Sequence, residues 1–173
     1  PWDIEAEPFG IKPLRPFKTG EELIEKTIQC FNQLRPFFGD CLQKMRSMGH
    51  LDLESRKGKA PGGYNCPLAE SGAPFIFMNA AGQMHDVTTM VHEGGHAVHS
   101  FLAHPLELSG FKEYPMEIAE VASMAMELFS MDHWDVFYPN KSELIRAKRD
   151  QLERSLRMLT RIAPVDKFQH WIY

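Results

Sequence analysis

The residues most able to do chemistry lie in one short segment, 92–96, which reads HEGGH. If this segment is helical, His92 and His96 share a face one turn apart, and their imidazoles can bind one zinc ion. Glu93, one residue after the first imidazole, can then reach a water on the metal. Zinc lowers the pKa of such a water toward about 7, and a carboxylate can take its proton. The pattern therefore predicts metal-assisted hydrolysis with Glu93 as general base.

A zinc site that does chemistry needs a third protein ligand and one open coordination position. The candidates are three glutamates on the next apolar segment, Glu117, Glu120 and Glu127. On a helix, Glu120 lies one turn after Glu117 and two turns before Glu127. If Glu120 binds the metal, Glu117 or Glu127 can accept a hydrogen bond from an imidazole N–H of a ligand. The spacing therefore predicts that one of the three binds the metal and another orients a histidine.

His99 is a further histidine close to this face, three residues after His96. We expect it to pack beside the metal site or to hold a ligand, and not to bind the ion. The three-histidine signature H-E-x-x-H-x-x-G-x-x-H does not fit, because His99 and Leu102 occupy its glycine and last histidine positions. The alternative is a closed site in which His99 or Glu117 is a fourth ligand. The metal would then be structural, and the chain a non-catalytic helical module.

Two predicted helices must position these residues. The histidine segment is predicted as a helix from about residue 87 to 101, with Asp86 as its N-cap. The glutamates lie on a second helix, from about residue 116 to 131. Gly94 and Gly95 lie in the middle of the first helix, where each costs about 1 kcal/mol relative to alanine. We therefore expect another group to approach the helix backbone closely at these glycines.

The other helices are predicted from capping residues and apolar periodicity. Thr19 begins an amphipathic helix, and Pro36 lies in the first turn of a second one. Asn140 begins a long helix, which we expect to end near Ile162 because a proline follows shortly after. A short terminal helix is then predicted to begin at Asp166. Together with the two helices of the site, these segments indicate a mainly helical chain.

One strand and two irregular segments complete the predicted elements. Residues 74–79 (PFIFMN) are aromatic and β-branched and predict a buried strand. Residues 54–72 are rich in glycine, proline and lysine and predict a loop. Residues 1–16 alternate proline, aromatic and charged residues, and they predict an extended arm over the surface.

Composition restricts the partners and the compartment. The chain has 173 residues, a net charge of −4, 43% hydrophobic residues and 24% charged residues. These values are typical of one globular domain and argue against a nucleic-acid partner, which favours a basic surface. No apolar run is long enough to cross a bilayer. The three cysteines (Cys30, Cys41, Cys66) match no zinc-binding spacing and predict reduced thiols in the cytoplasm. A Cys66 nucleophile is disfavoured because Pro67 follows it.

The residues around these features resemble the thimet oligopeptidase family. Segment 92–99, HEGGHAVH, is similar to the H-E-x-G-H-x-x-H signature of that family. Segment 70–82, ESGAPFIFMNAAG, is similar to its oligoendopeptidase F branch. Segments 56–64, 120–127 and 168–173 also fit, and the resemblance extends from about Pro13 to Tyr173.

The resemblance implies a zinc-dependent endopeptidase that hydrolyses short peptides. It implies one zinc ion per chain, bound by His92, His96 and Glu120. It also implies Glu93 as the general base and Glu127 as the residue that holds a ligand histidine. The implied fold is mainly α, a zincin-like helical catalytic core with a small β-sheet of few short strands. A deep channel in this core would admit only short, unfolded peptides.

The resemblance also implies a substrate side, with contacts from Gly63, Tyr64, Phe77 and Asn79. The strand that begins at Phe75 and the glycine-rich loop before it would lie along an extended peptide and pair with its backbone. The same buried aromatic pattern suits plain core packing, and the two roles are compatible. The sequence does not indicate the oligomeric state.

The resemblance is partial. The N-terminal helical region of the family, and its His- and Tyr-rich segment after the zinc glutamate, have no counterpart in this sequence. We therefore expect residues 1–173 to be a partial metallopeptidase catalytic domain with a complete metal site and an incomplete set of oxyanion donors. Loss of one such donor typically costs about 10²–10³ in rate. The alternatives are a zinc-binding but catalytically incomplete fragment or interaction module, and an enzyme that acts on another amide or ester.

Overall fold

Residues 12–173 are described by a computed structural model, and the predicted N-terminal arm lies mostly outside the described residues. The described chain is mainly α with a small sheet, as predicted. Its α-helices are α1 (Gly20–Leu34), α2 (Pro36–Ser47), α3 (Met84–Ala103), α4 (Met116–Ser130) and α5 (Lys141–Ile172). Its strands are β1 (Leu51–Glu54), β2 (Tyr64–Cys66) and β3 (Phe75–Ala80), and short 3-10 helices lie at Ser109–Phe111 and Met131–Val136. Among the described helices, none combines the length and the apolar character that a bilayer span requires.

The first two helices begin where the sequence predicts. Thr19 Oγ1 accepts a hydrogen bond from the Glu22 backbone N–H at 3.1 Å and caps α1. Pro36 occupies the first turn of α2, where its missing N–H costs no helical hydrogen bond. The apolar faces of both helices enter the core through Leu23, Ile24, Phe31, Leu42 and Met45.

The start of α3 differs from the prediction. The N-cap is Gln83, and Asp86, predicted as the N-cap, is the third helical residue. The Asp86 carboxylate accepts hydrogen bonds from the backbone N–H groups of Ala81 and Gln83, both at 2.8 Å. An acidic side chain three residues into a helix can reach back to the N-cap backbone, so an aspartate near a helix start does not by itself mark the cap.

The sheet contains two strands that the sequence does not predict. The strand order is β1–β3–β2, with β1 parallel and β2 antiparallel to β3. β2 lies inside segment 54–72, so the prediction of a continuous loop there is wrong. β2 has only three residues, and its hydrogen-bond partners belong to another strand. Such a pairing depends on cross-strand neighbours, which local composition does not reveal.

A buried lysine attaches the loop between β1 and β2 to the sheet. Lys59 Nζ donates hydrogen bonds to the backbone carbonyls of Asp52, Glu54 and Met78. The ammonium also lies 4.5 Å from the centroid of the Phe77 ring. The register of β1 against β3 shifts between Asp52 and Glu54. Lys59 therefore supplies donors where a bulge interrupts the hydrogen bonds of the ladder.

β3 is the central strand, and this changes where a peptide can pair. At Ile76 and Phe77 it has β1 on one side and β2 on the other. The prediction that this strand pairs with a peptide backbone is therefore wrong for these residues, because both edges are occupied. β2 is an edge strand and contacts α3, where Asn65 Nδ2 donates to the Glu93 carbonyl at 3.3 Å.

α5 continues through a proline. Asn140 caps the helix as predicted, and Pro164 lies inside it. The predicted end near Ile162 and the separate helix from Asp166 are therefore wrong. A proline inside a helix removes one backbone hydrogen bond and costs about 3 kcal/mol. The hydrogen bonds on both sides of Pro164 keep the long helix continuous.

Candidate metal centre

The candidate centre forms where α3 and α4 pack with almost no side chain between their backbones. A Cβ built on Gly95 would lie 2.8 Å from Ser123 Cα and 2.9 Å from the Ala122 carbonyl oxygen. A Cβ on Gly94 would lie 2.8 Å from the ring of Phe31. The close approach predicted at the two glycines is confirmed. It brings the histidines of α3 and the glutamates of α4 into one place.

Two imidazoles and one carboxylate face each other. His92 and His96 have ring centroids 4.9 Å apart and ring planes at 86°. His92 Nε2 lies 3.3 Å from Glu120 Oε2, and His96 Nε2 lies 3.6 Å from Glu120 Oε1. One ligand atom from each residue lies within 4.8 Å of the other two. Within residues 12–173, these residues form the group of metal-ligating side chains that has such spacing.

The spacing fits a zinc ion. Zinc binds imidazole nitrogens and carboxylate oxygens at about 2.0–2.1 Å, so two of its tetrahedral ligands lie about 3.4 Å apart. The distances from the two Nε2 atoms to Glu120, 3.3 and 3.6 Å, are close to that value, but they end at different oxygens of the carboxylate. A set of one ligand atom from each residue lies within 4.8 Å. The two Nε2-to-oxygen distances are also longer than most N–H···O hydrogen bonds. Two histidines with one glutamate are, in addition, a ligand set that catalytic zinc sites use.

Glu127 orients the first imidazole. Its Oε1 lies 2.6 Å from His92 Nδ1, and because a carboxylate only accepts, Nδ1 carries the hydrogen. The Nε2 lone pair then remains for a metal. Burial acts to lower the pKa of His92, but the hydrogen bond and charge of Glu127, with the charges of Glu93 and Glu120, raise it overall. Without a metal this imidazole therefore binds a proton at Nε2 more readily than a free imidazole does, and a metal ion must displace that proton. Glu127 thus takes the position that spacing left open between Glu117 and Glu127 and that the family resemblance implied for Glu127.

Two residues that sequence reasoning missed complete this contact. Gln151 of α5 donates from Nε2 to Glu127 Oε2 at 2.6 Å. Thr88 of α3 donates from Oγ1 to Gln151 Oε1 at 3.1 Å. Thr88 precedes His92 by one helical turn, so its place on the ligand face was available from the sequence. Gln151 gives no local signal, because it lies on another helix.

The remaining two ligand candidates are also positioned by hydrogen bonds. Ser123 Oγ donates to Glu120 Oε2 at 3.0 Å. Ser123 was not predicted, although it lies on the same helix face as Glu120. His96 forms a hydrogen bond to the Ala119 backbone, but burial, followed by the charge of His92, lowers its pKa. A lowered pKa favours the neutral imidazole, which is the form that binds a metal.

Glu93 lies beside the ligand group and outside it. The residue is only 7% exposed. Burial is the largest cause of a raised pKa at its carboxyl, which the charge of His92 opposes and the charge of Glu120 increases. A carboxyl with a raised pKa next to a metal position is suited to accept a proton. Its location therefore agrees with the predicted general base.

Glu117 and His99 are not brought to the ligand atoms. Glu117 is exposed in the first turn of α4. His99 stacks on Tyr114, with ring centroids 4.0 Å apart and planes at 25°. Its Nδ1 is buried without a hydrogen-bond partner among residues 12–173. Neither residue belongs to the ligand group. The geometry therefore does not support the closed four-ligand alternative.

The predicted substrate residues lie together on the sheet and its loop. Tyr64 is 52% exposed and stacks on Phe77, with ring centroids 5.1 Å apart and planes at 12°. Asn79 Nδ2 donates to the carbonyls of Ala60 and Gly62 at 2.7 and 3.0 Å. A Cβ on Gly63 would lie 3.2 Å from the Thr89 methyl and 3.4 Å from the Phe77 carbonyl oxygen.

The three cysteines are free thiols in separate places. Cys30 and Cys41 are buried, and burial raises the pKa of each to about 12. Cys66 is exposed on β2. The cytoplasmic location inferred from reduced thiols stays a prediction.

The chain is similar to known proteins along most of its length. A sequence model of the family described as Peptidase family M3 matches residues 9–173. The chromosomal oligoendopeptidase F of Lactococcus lactis subsp. cremoris is 34% identical over 77 residues, which are 44% of this chain and 13% of that protein. The oligopeptidase PepF of Bacillus subtilis strain 168 is 36% identical over 81 residues, which are 44% of this chain and 11% of that protein.

Two solved structures share the fold. A crystal structure assigned as an oligoendopeptidase F from Bacillus anthracis strain Ames has a TM-score of 0.88 at 27% identity, over 99% of this chain and 31% of its own. The structure of PZ peptidase A with an inhibitor has a TM-score of 0.85 at 30% identity, over 94% of this chain and 28% of its own. The chain thus matches almost throughout, but it spans less than a third of either structure.

Proposed function

Because the chain belongs to peptidase family M3, we propose that its metal centre serves the hydrolysis of peptide bonds in short peptides with one zinc ion. The observation that carries this proposal is that two imidazoles and the Glu120 carboxylate face one another, with one ligand atom from each residue within 4.8 Å of the other two. The names of the similar proteins, oligoendopeptidase F and oligopeptidase, support peptides as the substrate class.

The ion would be bound by His92, His96 and Glu120, each through one atom. When bound, zinc would supply Lewis acidity, which polarises a peptide carbonyl and makes a water more acidic. The chain itself holds the ligand side chains in fixed orientations. Glu127 orients the His92 imidazole by a hydrogen bond at Nδ1, and Ser123 donates a hydrogen bond to one oxygen of Glu120.

Glu93 would act as the general base. Its carboxylate takes a proton from the attacking water and delivers it to the leaving amine. A pKa raised by burial makes this carboxylate a stronger proton acceptor than an exposed one. The scheme needs no covalent intermediate, and the exposed thiol of Cys66 has no part in it.

The sheet side would receive the peptide. The outer edge of β2 offers backbone groups to an extended chain, and it lies next to Glu93 through Asn65. The exposed ring of Tyr64, which stacks on Phe77, would contact a peptide side chain. The Asn79 amide is bonded to the loop carbonyls, so its role would be to shape the loop at Gly63.

We propose that residues 1–173 form the metal-binding part of a metallopeptidase catalytic domain. The curated relatives and the solved structures are several times longer than the matched part. Because residues 1–173 span less than a third of the similar structures, we expect this segment, tested alone, to hydrolyse peptides slowly. Loss of one oxyanion donor typically costs about 10²–10³ in rate.

A short, internally quenched peptide tests the proposal with the purified chain and zinc. We expect slow cleavage by the wild type. Glu93→Gln should keep one zinc per chain and lower kcat by about 10²–10⁴-fold, because it removes the general base but no ligand. His96→Ala should lose the zinc, because it removes a ligand. Metal content is measured on the same samples as cleavage.

The outcomes separate the possible roles. Full activity of Glu93→Gln would show that Glu93 is not the base. A wild type that binds one zinc but cleaves nothing would leave a zinc-binding fragment as the function of this chain. A wild type that binds no zinc would contradict the metal centre itself.

A further inference from the structure

Four side chains from three helices form a hydrogen-bonded cycle beside the metal centre. Thr88 and His92 lie one turn apart on α3, Glu127 lies on α4 and Gln151 lies on α5. Thr88 bonds to Gln151 at 3.1 Å, Gln151 to Glu127 at 2.6 Å and His92 to Glu127 at 2.6 Å. The helical turn of α3 between Thr88 and His92 closes the cycle through the backbone. The cycle therefore links a residue of α5 to a candidate metal ligand.

Donor and acceptor chemistry fixes the direction of each bond in the cycle. The Glu127 carboxylate only accepts, so Gln151 must turn its NH2 group toward it and its Oε1 toward Thr88. The Thr88 hydroxyl then donates. A reversed amide would place two acceptor oxygens against each other at the short contact with Glu127. Glu127 therefore sets the one stable amide orientation, and the Thr88 hydroxyl, which can donate or accept, satisfies the amide oxygen that this orientation turns toward it.

The middle of the cycle is shielded from water. Thr88 is 2% exposed and Gln151 is 1% exposed. In the 32-residue helix α5, the buried residues are Ala147 and Gln151. Gln151 is thus the buried polar side chain of this helix, and it contacts Glu127. An apolar side chain would serve packing alone, whereas a buried amide requires hydrogen-bond partners to offset its desolvation.

We propose that Gln151 is a positioning residue of the metal centre that acts through Glu127, with the Thr88 hydroxyl satisfying its amide oxygen. This inference rests on the proposed zinc site and deepens it. By bonding Oε2, Gln151 holds the Glu127 carboxylate where Oε1 receives the Nδ1 hydrogen of His92. The Nε2 atom of His92 is thereby directed toward Glu120. Without Gln151 the carboxylate can rotate, and the imidazole loses its fixed direction.

The first test compares Gln151→Met with Thr160→Val. Gln151→Met keeps the length of the side chain and removes the amide, whereas the Thr160 hydroxyl is exposed and bonds only within α5. Zinc affinity is measured by competition with a chelator. We expect Gln151→Met to weaken zinc binding by about 10-fold, at the lower end for residues behind a metal ligand. Thr160→Val should bind zinc as the wild type does.

A second readout needs no metal. In the metal-free chain, NMR should show the His92 Nδ1 proton shifted downfield and protected from exchange by its short hydrogen bond to Glu127. We expect this resonance in the wild type and in Thr160→Val. In Gln151→Met it should be lost or broadened, because the acceptor carboxylate is no longer held.

The threonine separates positioning from packing. Thr88→Val keeps the shape and removes the hydroxyl, whereas Thr88→Ser keeps the hydroxyl and removes a methyl group. If Thr88 acts through its hydrogen bond to Gln151, Thr88→Val should weaken zinc binding several-fold and Thr88→Ser should stay near the wild type. If Thr88 acts only by packing, Thr88→Ser should be the weaker of the two. This pair also decides the question if Gln151→Met does not fold.

Two results would overturn the inference. One is an unchanged zinc affinity in Gln151→Met together with a retained His92 resonance. The other is Thr88→Val that matches the wild type while Thr88→Ser does not. If the wild-type chain binds no zinc, the proposed function fails, but the resonance in the metal-free chain still shows whether Gln151 positions His92.

Discussion

The two sides of the candidate site are built by different kinds of contact. The helical wall, formed by α3, α4 and the Gln151 region of α5, joins backbone to backbone at Gly95 and side chain to side chain through buried hydrogen bonds. The sheet wall, formed by β1–β3 and the loop 55–63, consists of short strands held by Lys59, and it exposes Tyr64. The candidate metal ligands and the predicted substrate residues thus lie on parts of the molecule that are stabilised by different contacts.

The difference follows from what each wall would have to do. Metal ligands must be held at fixed separations, and buried contacts between helices provide this. A peptide-binding surface must admit different side chains, and an exposed aromatic ring on an edge strand can do so. We therefore expect substitutions in the helical wall to change metal binding, and those in the sheet wall to leave it intact.

Gly95→Ala should have the largest effect and test the helical wall. The added Cβ would lie 2.8 Å from Ser123 Cα, and a backbone atom cannot turn away as a side chain can. α4 must then shift, which we expect to lower the free energy of unfolding by about 1–3 kcal/mol and to abolish zinc binding through Glu120. Chemical denaturation and metal analysis measure both effects.

Gly63→Ala is the matched control on the sheet wall. Its Cβ would lie 3.2 Å from the Thr89 methyl group and farther from backbone atoms. We expect zinc binding to be kept and stability to change little. Equal loss of zinc in the two alanine variants would contradict the separation of the walls.

Lys59→Met should have an intermediate effect that is confined to the sheet wall. It removes the donor to three backbone carbonyls and to the Asp52 carboxylate. Two of these carbonyls are partly buried, and an acceptor left unsatisfied away from water costs about 1–3 kcal/mol. We expect faster hydrogen exchange and proteolysis within residues 55–63, with unchanged zinc affinity. Lys57→Met, at an exposed position of the same loop, serves as the control. A loss of zinc from Lys59→Met would show that the walls are coupled.

The reactivity of the three cysteines should also differ between the two walls, and it is the smallest of the expected effects. Burial raises the pKa of Cys30 and Cys41 to about 12, so both stay protonated and unreactive at neutral and mildly alkaline pH. Cys66, on the sheet wall, is exposed. A thiol reagent should therefore modify Cys66 alone in the native chain and all three cysteines in denaturant. Reaction of Cys30 in the native chain would show that the helices open.

The metal centre could be predicted because its pattern is local. His92 and His96 are one helical turn apart, which predicts a shared face, and Gly95 adds a second local signal, since a glycine in mid-helix suggests a close approach. Spacing left three glutamates open as the third ligand, and the family resemblance implied Glu120. Spacing also left Glu117 and Glu127 open as the partner of a ligand histidine, because the answer depends on how α3 and α4 are rotated against each other, and the resemblance implied Glu127.

The parts that could not be predicted depend on distant contacts. β2 has only three residues and exists because β3 pairs with it. Gln151 is on a helix whose other buried residue is Ala147, so nothing in its own periodicity marks it. The sequence predicts a helix end near Pro164, because a proline lacks one backbone hydrogen bond. It does not show that the neighbouring residues of α5 remain helical.

The backbone contact at Gly95 also bears on which ions the centre can accept. No side chain lies between α3 and α4 there, so no rotamer change can adjust their separation. The ligand set itself disfavours calcium, which takes about six to eight oxygen ligands and not two imidazoles. The separation of the two helices that carry the ligands is thus set by backbone contact. A larger ion would have to be accommodated by rotation of the ligand side chains, and not by movement of the helices.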